Sequence, residues 1–164
     1  MKKILYVCLI IMLTAAAVNA GNAEIAVHEA FKDKVSAGFD VKSSLAGVRL
    51  WFSEIIGIDA KIGYEYSGDS NYAARLFMIT PLFESQDVYV NVIGGLDFRG
   101  TPVKDFYEVF GAAGIEFEVF LTAITANLSV SSTVELYAGS ETRGDNSFFR
   151  MGTGINPLTV RYYF

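Results

Sequence analysis

The sequence predicts an all-β chain, an eight-stranded antiparallel up-and-down transmembrane β-barrel with a polar, charge-filled lumen. Three observations predict it. From Lys34 onward apolar and polar residues alternate with period 2. The chain is 52% hydrophobic, yet after residue 20 no apolar run is long enough to span a bilayer as a helix. The charges gather on one face of nearly every alternating segment.

The first strand starts at Lys34, with Val35, Ala37, Phe39 and Val41 on one side and Ser36, Gly38, Asp40 and Lys42 on the other. A tight connection at Lys42-Ser43-Ser44 leads to a second strand, where Ala46, Val48, Leu50 and Phe52 oppose Gly47, Arg49, Trp51 and Ser53. Ser53-Glu54 reads as a turn. The third strand is the cleanest: Ile56, Ile58, Ala60, Ile62, Tyr64 and Tyr66 alternate with Gly57, Asp59, Lys61, Gly63, Glu65 and Ser67. Gly68 to Asn71 is a turn cluster, and Tyr72 to Phe83 a fourth strand, apolar on both faces, with Arg75 as its inward marker. Pro81 lacks a ladder donor and belongs near a strand end or a bulge.

After a turn at Glu84-Ser85-Gln86, the fifth strand sets Val88, Val90, Val92, Gly94, Leu96 and Phe98 against Tyr89, Asn91, Ile93, Gly95, Asp97 and Arg99. Gly100-Thr101-Pro102 closes it. The sixth strand sets Tyr107, Val109, Gly111, Ala113, Ile115, Phe117 and Val119 against Phe106, Glu108, Phe110, Ala112, Gly114, Glu116 and Glu118. Phe120 to Ala126 is expected to turn. The seventh carries Leu128, Val130, Ser132, Val134, Leu136 and Ala138 opposite Asn127, Ser129, Ser131, Thr133, Glu135 and Tyr137. A polar loop is expected from Ser140 to Ser147, then an eighth strand to Phe164. Phe149, Met151 and Ile155 need one phase and Leu158 and Val160 the other, so a bulge is expected at Asn156-Pro157. An even count returns the chain to its starting side, which makes the turns after the even strands periplasmic and the loops after the odd ones external.

Soluble and membrane barrels both alternate, and the face that carries charge separates them. Eight strands enclose an interior only just wide enough for side chains, too narrow for Phe52, Tyr64, Tyr66, Phe98, Tyr107 and Phe117 together with many Val and Ile. Glycines and charges fit there instead. The expected lumen network is Asp40, Arg49, Asp59, Lys61, Glu65, Arg75, Asp97, Arg99, Glu108, Glu116, Glu118, Glu135 and Arg161. Signs so nearly balanced in a narrow interior should pair, because an unpaired buried charge is costly. A wide aqueous channel is therefore not expected.

Lys2 and Lys3 precede an apolar run from Ile4 to Leu13 and the small-residue pattern Val18-Asn19-Ala20, the signature of a cleaved secretory signal over residues 1–20. Residues 21–33 read as a periplasmic N-terminal tail and 34–164 as the outer-membrane barrel. Cys8 falls within the signal, which leaves the exported part without disulfides or thiolate ligands. Without Lys2 and Lys3 the formal charge moves from −5 to −7, with no basic cluster, so no nucleic-acid partner is expected.

With the signal, the eight alternating segments, Gly47-Val48-Arg49-Leu50-Trp51-Phe52 before a short turn and the ending Arg161-Tyr162-Tyr163-Phe164, the chain resembles the small outer-membrane β-barrel proteins of the OmpA-like and opacity-type porin-family group. The resemblance covers residues 34–164 and implies location in the bacterial outer membrane, surrounded by lipid. It also implies that Val160, Tyr162 and Phe164 form the signal read by the barrel-assembly machinery. On function it is broad, since that scaffold carries structural, adhesive, pore and enzymatic members. The expected function is a non-enzymatic structural or accessory role in the envelope, with docking of another envelope protein through the tail or the barrel wall; a narrow pore or transporter for ions or small solutes is the alternative. An adhesin is suggested only by Arg143-Gly144-Asp145, ordinary turn chemistry. A lipid-modifying enzyme of this size needs a histidine on the wall, and the sole histidine, His28, lies in the tail. No catalytic, cofactor-binding or metal-binding residues are expected.

Overall fold

The computed structural model describes residues 34–53, 55–66, 70–85, 87–101 and 105–164. The expected signal and tail, with His28, lie outside the described residues. Eight strands follow in chain order: β1 (Val35–Asp40), β2 (Leu45–Trp51), β3 (Gly57–Tyr66), β4 (Ser70–Glu84), β5 (Val88–Thr101), β6 (Phe106–Phe120), β7 (Leu128–Arg143) and β8 (Asn146–Tyr163). Each pairs antiparallel with the next, and β8 returns to β1, which closes the ring. Closure satisfies ladder bonds that an open sheet would leave at its edges.

Side-chain direction follows the alternation. On β3, Ile62 and Tyr64 are exposed while Gly57, Asp59 and Lys61 are buried. On β6, Tyr107, Val109 and Ile115 are exposed while Glu108, Glu116 and Glu118 are buried. The usual soluble arrangement is inverted: many large apolar side chains are exposed on the outside, while charged residues and a smaller apolar set are buried inside. On β4 odd positions point inward, so Phe77 and Ile79 are buried beside Arg75.

Several expected turns are strand. Ser70 and Asn71 pair with Tyr66 and Glu65, Glu84 pairs with Tyr89, Gly100 and Thr101 pair with Tyr107 and Phe106, and Phe120 pairs with Ser129. The largest correction is the loop from Ser140 to Ser147. Thr142 faces Ser147 and Arg143 faces Asn146, leaving only Gly144-Asp145 as the turn. Gly144 sits at φ 54°, which only a residue without a Cβ adopts freely. Polar residues on both faces concealed the alternation there.

Both prolines that lie in strands sit at register shifts. β4 shifts between Pro81 and Phe83. On β8 the shift falls between Asn156 and Thr159, where Pro157 and Leu158 face the single residue Ser132. That is one step beyond the expected position, because Asn156 keeps its pairing with Thr133.

Inward glycines make room for a neighbour's side chain across the ladder. A Cβ on Gly95 would lie 2.0 Å from the Leu76 carbonyl oxygen and 2.8 Å from Cδ1 of Phe77. On adjacent Gly94 the nearest atom would be 3.7 Å away. Gly95→Ala is therefore expected to destabilise the fold by about 1–3 kcal/mol and Gly94→Ala far less. The denaturant midpoint followed by the fluorescence of Trp51, the sole tryptophan, measures the difference.

Candidate functional site: a buried charge network below an open cavity

The start of β1, the end of β8 and the turns after β2, β4 and β6 lie at one end of the ring, here the terminal end. The opposite, loop end carries the turns 41–44 and 144–145. Toward the terminal end the interior holds an apolar cluster of Trp51, Phe77, Ile79, Tyr89, Ile93 and Phe120 with Tyr163. Phe120 packs at 5.3 Å against Tyr89 and 5.2 Å against Tyr163, ring centre to ring centre.

The central charge cluster draws its ionisable side chains from five strands, β1, β2, β3, β6 and β8. Arg49, 1% exposed, donates from Nε and Nη2 to Asp59 at 3.2 and 2.7 Å and from Nη1 to Glu118 at 2.9 Å. Its Nη2 also reaches Glu116. Arg161, 2% exposed, donates from Nη2 to Asp59 and Glu116, both at 2.9 Å, and from Nη1 to the Ser131 hydroxyl at 2.6 Å. Asn91 and Ser131 also donate to Glu116, and Ser129 and Tyr163 to Glu118. Lys61 donates to Asp40 at 2.8 Å and lies 4.0 Å from Asp59, while Thr159 donates its hydroxyl to Asp40. Three cations thus face four carboxylates that would otherwise be desolvated without compensation.

A second cluster lies nearer the loop end. Arg75 bridges Asp97 and Glu135, each at 2.8 Å, with its guanidinium 4.9 Å from the Phe77 ring centre. Arg99 points toward the same Asp97 at 3.1 Å, but its side chain is 51% exposed at the rim rather than enclosed. Arg150 pairs with Glu108 at 3.3 Å and with Glu141 at 2.8 Å, and Arg143 donates to Glu141. Arg150 and Glu141 were not expected in the network. Arg150 is legible from its phase opposite Met151, whereas Glu141 fell in the segment read as loop. The side chain of Glu65 lies outside the described set.

Above this second cluster a cavity of about 460 Å³ opens toward the loop end. Below it the space shrinks to about 20 Å³ among Arg49, Asp59, Lys61, Arg75 and Glu116, room for about one water. The interior is thus a cup with a charged and aromatic floor. Among the described residues no group of three His, Cys, Asp or Glu is placed to hold a metal ion.

Arg143-Gly144-Asp145 forms the exposed tip of the β7–β8 hairpin. Arg143 is paired with Glu141 and lies over the Phe106 ring at 5.4 Å. At the C-terminal end Tyr162 and Phe164 point outward and pack edge to face at 5.4 Å. Compared with protein-family models, curated proteins and solved structures, the chain matches none.

Proposed function

We propose that this chain is a small bacterial outer-membrane β-barrel of the OmpA-like kind, non-enzymatic, with a structural or accessory role in the envelope. The observation that carries the reading is the apolar outer wall. Ile62, Leu76, Met78, Leu96, Leu136 and Met151 are each more than half exposed, an arrangement that water penalises at about 25 cal/mol per Å² and hydrocarbon does not. The interior carboxylates of the central cluster are held by arginine, lysine and hydroxyl donors, which supports a plug rather than a reactive centre. Val160, Tyr162 and Phe164 would present the outward edge read by the barrel-assembly machinery. The wall and the N-terminal tail are the surfaces offered to another envelope protein.

Two measurements test this. The purified protein is expected to need detergent and to migrate differently on gels before and after boiling, as a closed lipid-embedded barrel does. In planar bilayers it is expected to show no steady conductance, because the floor of the cup leaves space for about one water. Steady single-channel currents would replace the structural role with the pore.

A further inference from the structure

The wall around the cup is incomplete on one side. β1 has 6 residues and β8 has 18. β1 pairs with β8 only from Thr159 to Tyr163, and just above that pairing the Val41 amide donates to the Leu158 carbonyl. β2 reaches β3 only as far as Gly63, although β3 runs on to Tyr66. Among the described residues, no strand pairs on this side with β8 from Asn146 to Pro157 or with β3 from Tyr64 to Tyr66. The resulting side gap stands above the β1–β2 turn. At ~3.3 Å rise per residue and a tilt near 40°, that turn lies only about 15 Å along the barrel axis from the start of β1, so a hydrocarbon band of about 25 Å rises past it.

The edge of β8 that borders the gap has a defined chemistry. The Ile155 carbonyl oxygen accepts from Nζ of Lys42 at 3.0 Å on the gap side, whereas the next carbonyl, that of Asn156, accepts from the Ser132 hydroxyl on β7. Backbone direction alternates along a strand. The N–H and C=O groups of Met151, Thr153 and Ile155 therefore all face the gap, one donor and one acceptor about every 6.6 Å. Lys42 caps a single acceptor. Acyl chains offer no hydrogen bonds to the rest, and sheet edges are not left open toward hydrocarbon. A lipid head group offers donors at one point only. Another polypeptide backbone repeats donor and acceptor at the required spacing.

Width and direction narrow the occupant further. Below the gap β1 and β2 fill two places in the ring, so β8 and β3 stand three ladder spacings apart, about 14 Å, which leaves room for two strands. β8 runs toward the terminal end and β3 away from it. A hairpin pairs antiparallel with both edges when its first strand descends beside β3 and its second ascends beside β8. The β1–β2 turn closes the gap from below, so such a hairpin enters from the loop end, turn first. A second copy does not supply it, because copies in one membrane share an orientation and their loop-end hairpins point the other way. The chain before Lys34 joins β1 at the terminal end, below the gap.

We propose that the side gap is a docking slot for a β-hairpin of another envelope protein, inserted from the loop end, with one strand added to β8 and the other to β3. Its lipid-facing side chains are apolar, continuing the wall made by Met151 and Ile155, which are 72% and 49% exposed. Its turn carries an acidic residue, which receives the Lys42 ammonium when an incoming amide takes the Ile155 carbonyl. This rests on the membrane reading given above and gives the docking role a site.

The test is backbone deuterium exchange of the full protein in native outer-membrane fragments and, after purification, in vesicles of lipid extracted from those fragments. The Met151 and Thr153 amides are expected to exchange at least about tenfold more slowly in the native fragments, because a paired amide exchanges only when its bond opens. Thr153→Pro deletes one gap-facing donor and spares the β7 ladder. It is expected to abolish the slowing at Met151 and to keep heat-dependent gel mobility; the wild-type comparison keeps the test open if this variant does not fold. Fast exchange in both preparations overturns the proposal, since the edge is then open to water from the cup. Slow exchange in both overturns it in favour of lipid or the chain's own residues covering the edge. Slowing that Thr153→Pro leaves unchanged overturns strand addition in favour of a neighbour that covers the gap without pairing. A protein that stays monomeric in water without detergent overturns the membrane reading itself, which is a separate result.

Discussion

Arg49→Met is expected to lower the unfolding free energy by about 3–5 kcal/mol, the range for breaking a buried ion pair from one side. The methionine fills much of the space, so packing contributes little to the loss. What remains is electrostatic: Asp59, Glu116 and Glu118 keep their burial and lose the guanidinium that touches all three. Arg161 shares those carboxylates but lies 3.9 Å from Glu118, so it does not replace Arg49 there. Adding Glu118→Gln to Arg49→Met is expected to recover part of the loss, because it removes one uncompensated negative charge and leaves an amide that Ser129 and Tyr163 still bond. The two changes are therefore non-additive, as neighbours in one network should be. Urea titration in detergent, followed by Trp51 fluorescence, measures both. A loss under about 1 kcal/mol for the single variant would mean that Arg49 is solvated, as in a water-filled channel.

The ring and its strand order were legible because the alternation is strict where one face meets a charged interior. Asp59 and Lys61 on β3, and Glu116 and Glu118 on β6, fix the phase without reference to any partner strand. The phase on β4 was harder to read, since Phe77 and Ile79 are as apolar as the outward Leu76 and Met78. Only Arg75 distinguishes the sides. Strand ends were misread wherever both faces are polar, as from Ser140 to Arg143, because period 2 carries no signal without contrast between the faces.

The candidate site divides in the same way. Inward direction is a local property, so residues such as Arg49, Asp59, Glu116 and Arg161 are legible one by one, whereas Arg99 lies at the rim and Glu141 sits in a segment without contrast between its faces. Their grouping into a central cluster, a second cluster and a rim depends on which strands meet across the ring. No single strand encodes that. The cup itself was invisible for a related reason: the floor needs Phe77 from β4, Tyr89 and Ile93 from β5 and Phe120 from β6 to converge, and Phe120 had been read as turn. The side gap follows from a mismatch between the length of β1 and that of β8. The sequence marks the first strand as the shorter of the two, but the gap appears only when closure makes those two strands neighbours.

Leu136→Arg separates the two environments that an exposed apolar wall allows. Leu136 is 66% exposed on the outer face of β7, where it is paired with Ala113 and Thr153. In water such a change is close to neutral, because the guanidinium is solvated and an exposed leucine contributes little. In hydrocarbon the same arginine costs about 2–4 kcal/mol near the midplane, enough to lower the folded fraction strongly in a marginal barrel. The expected result is a clear drop in the fraction that assembles into phospholipid vesicles, read as the heat-modifiable band. Asn146→Arg, at the polar tip of the β7–β8 hairpin, serves as the control and is expected to assemble as the wild type does. Both variants introduce the same arginine and the same change in charge, at two depths along the strands. Equal assembly of the two variants would place Leu136 in water and remove the physical basis for a lipid-facing wall.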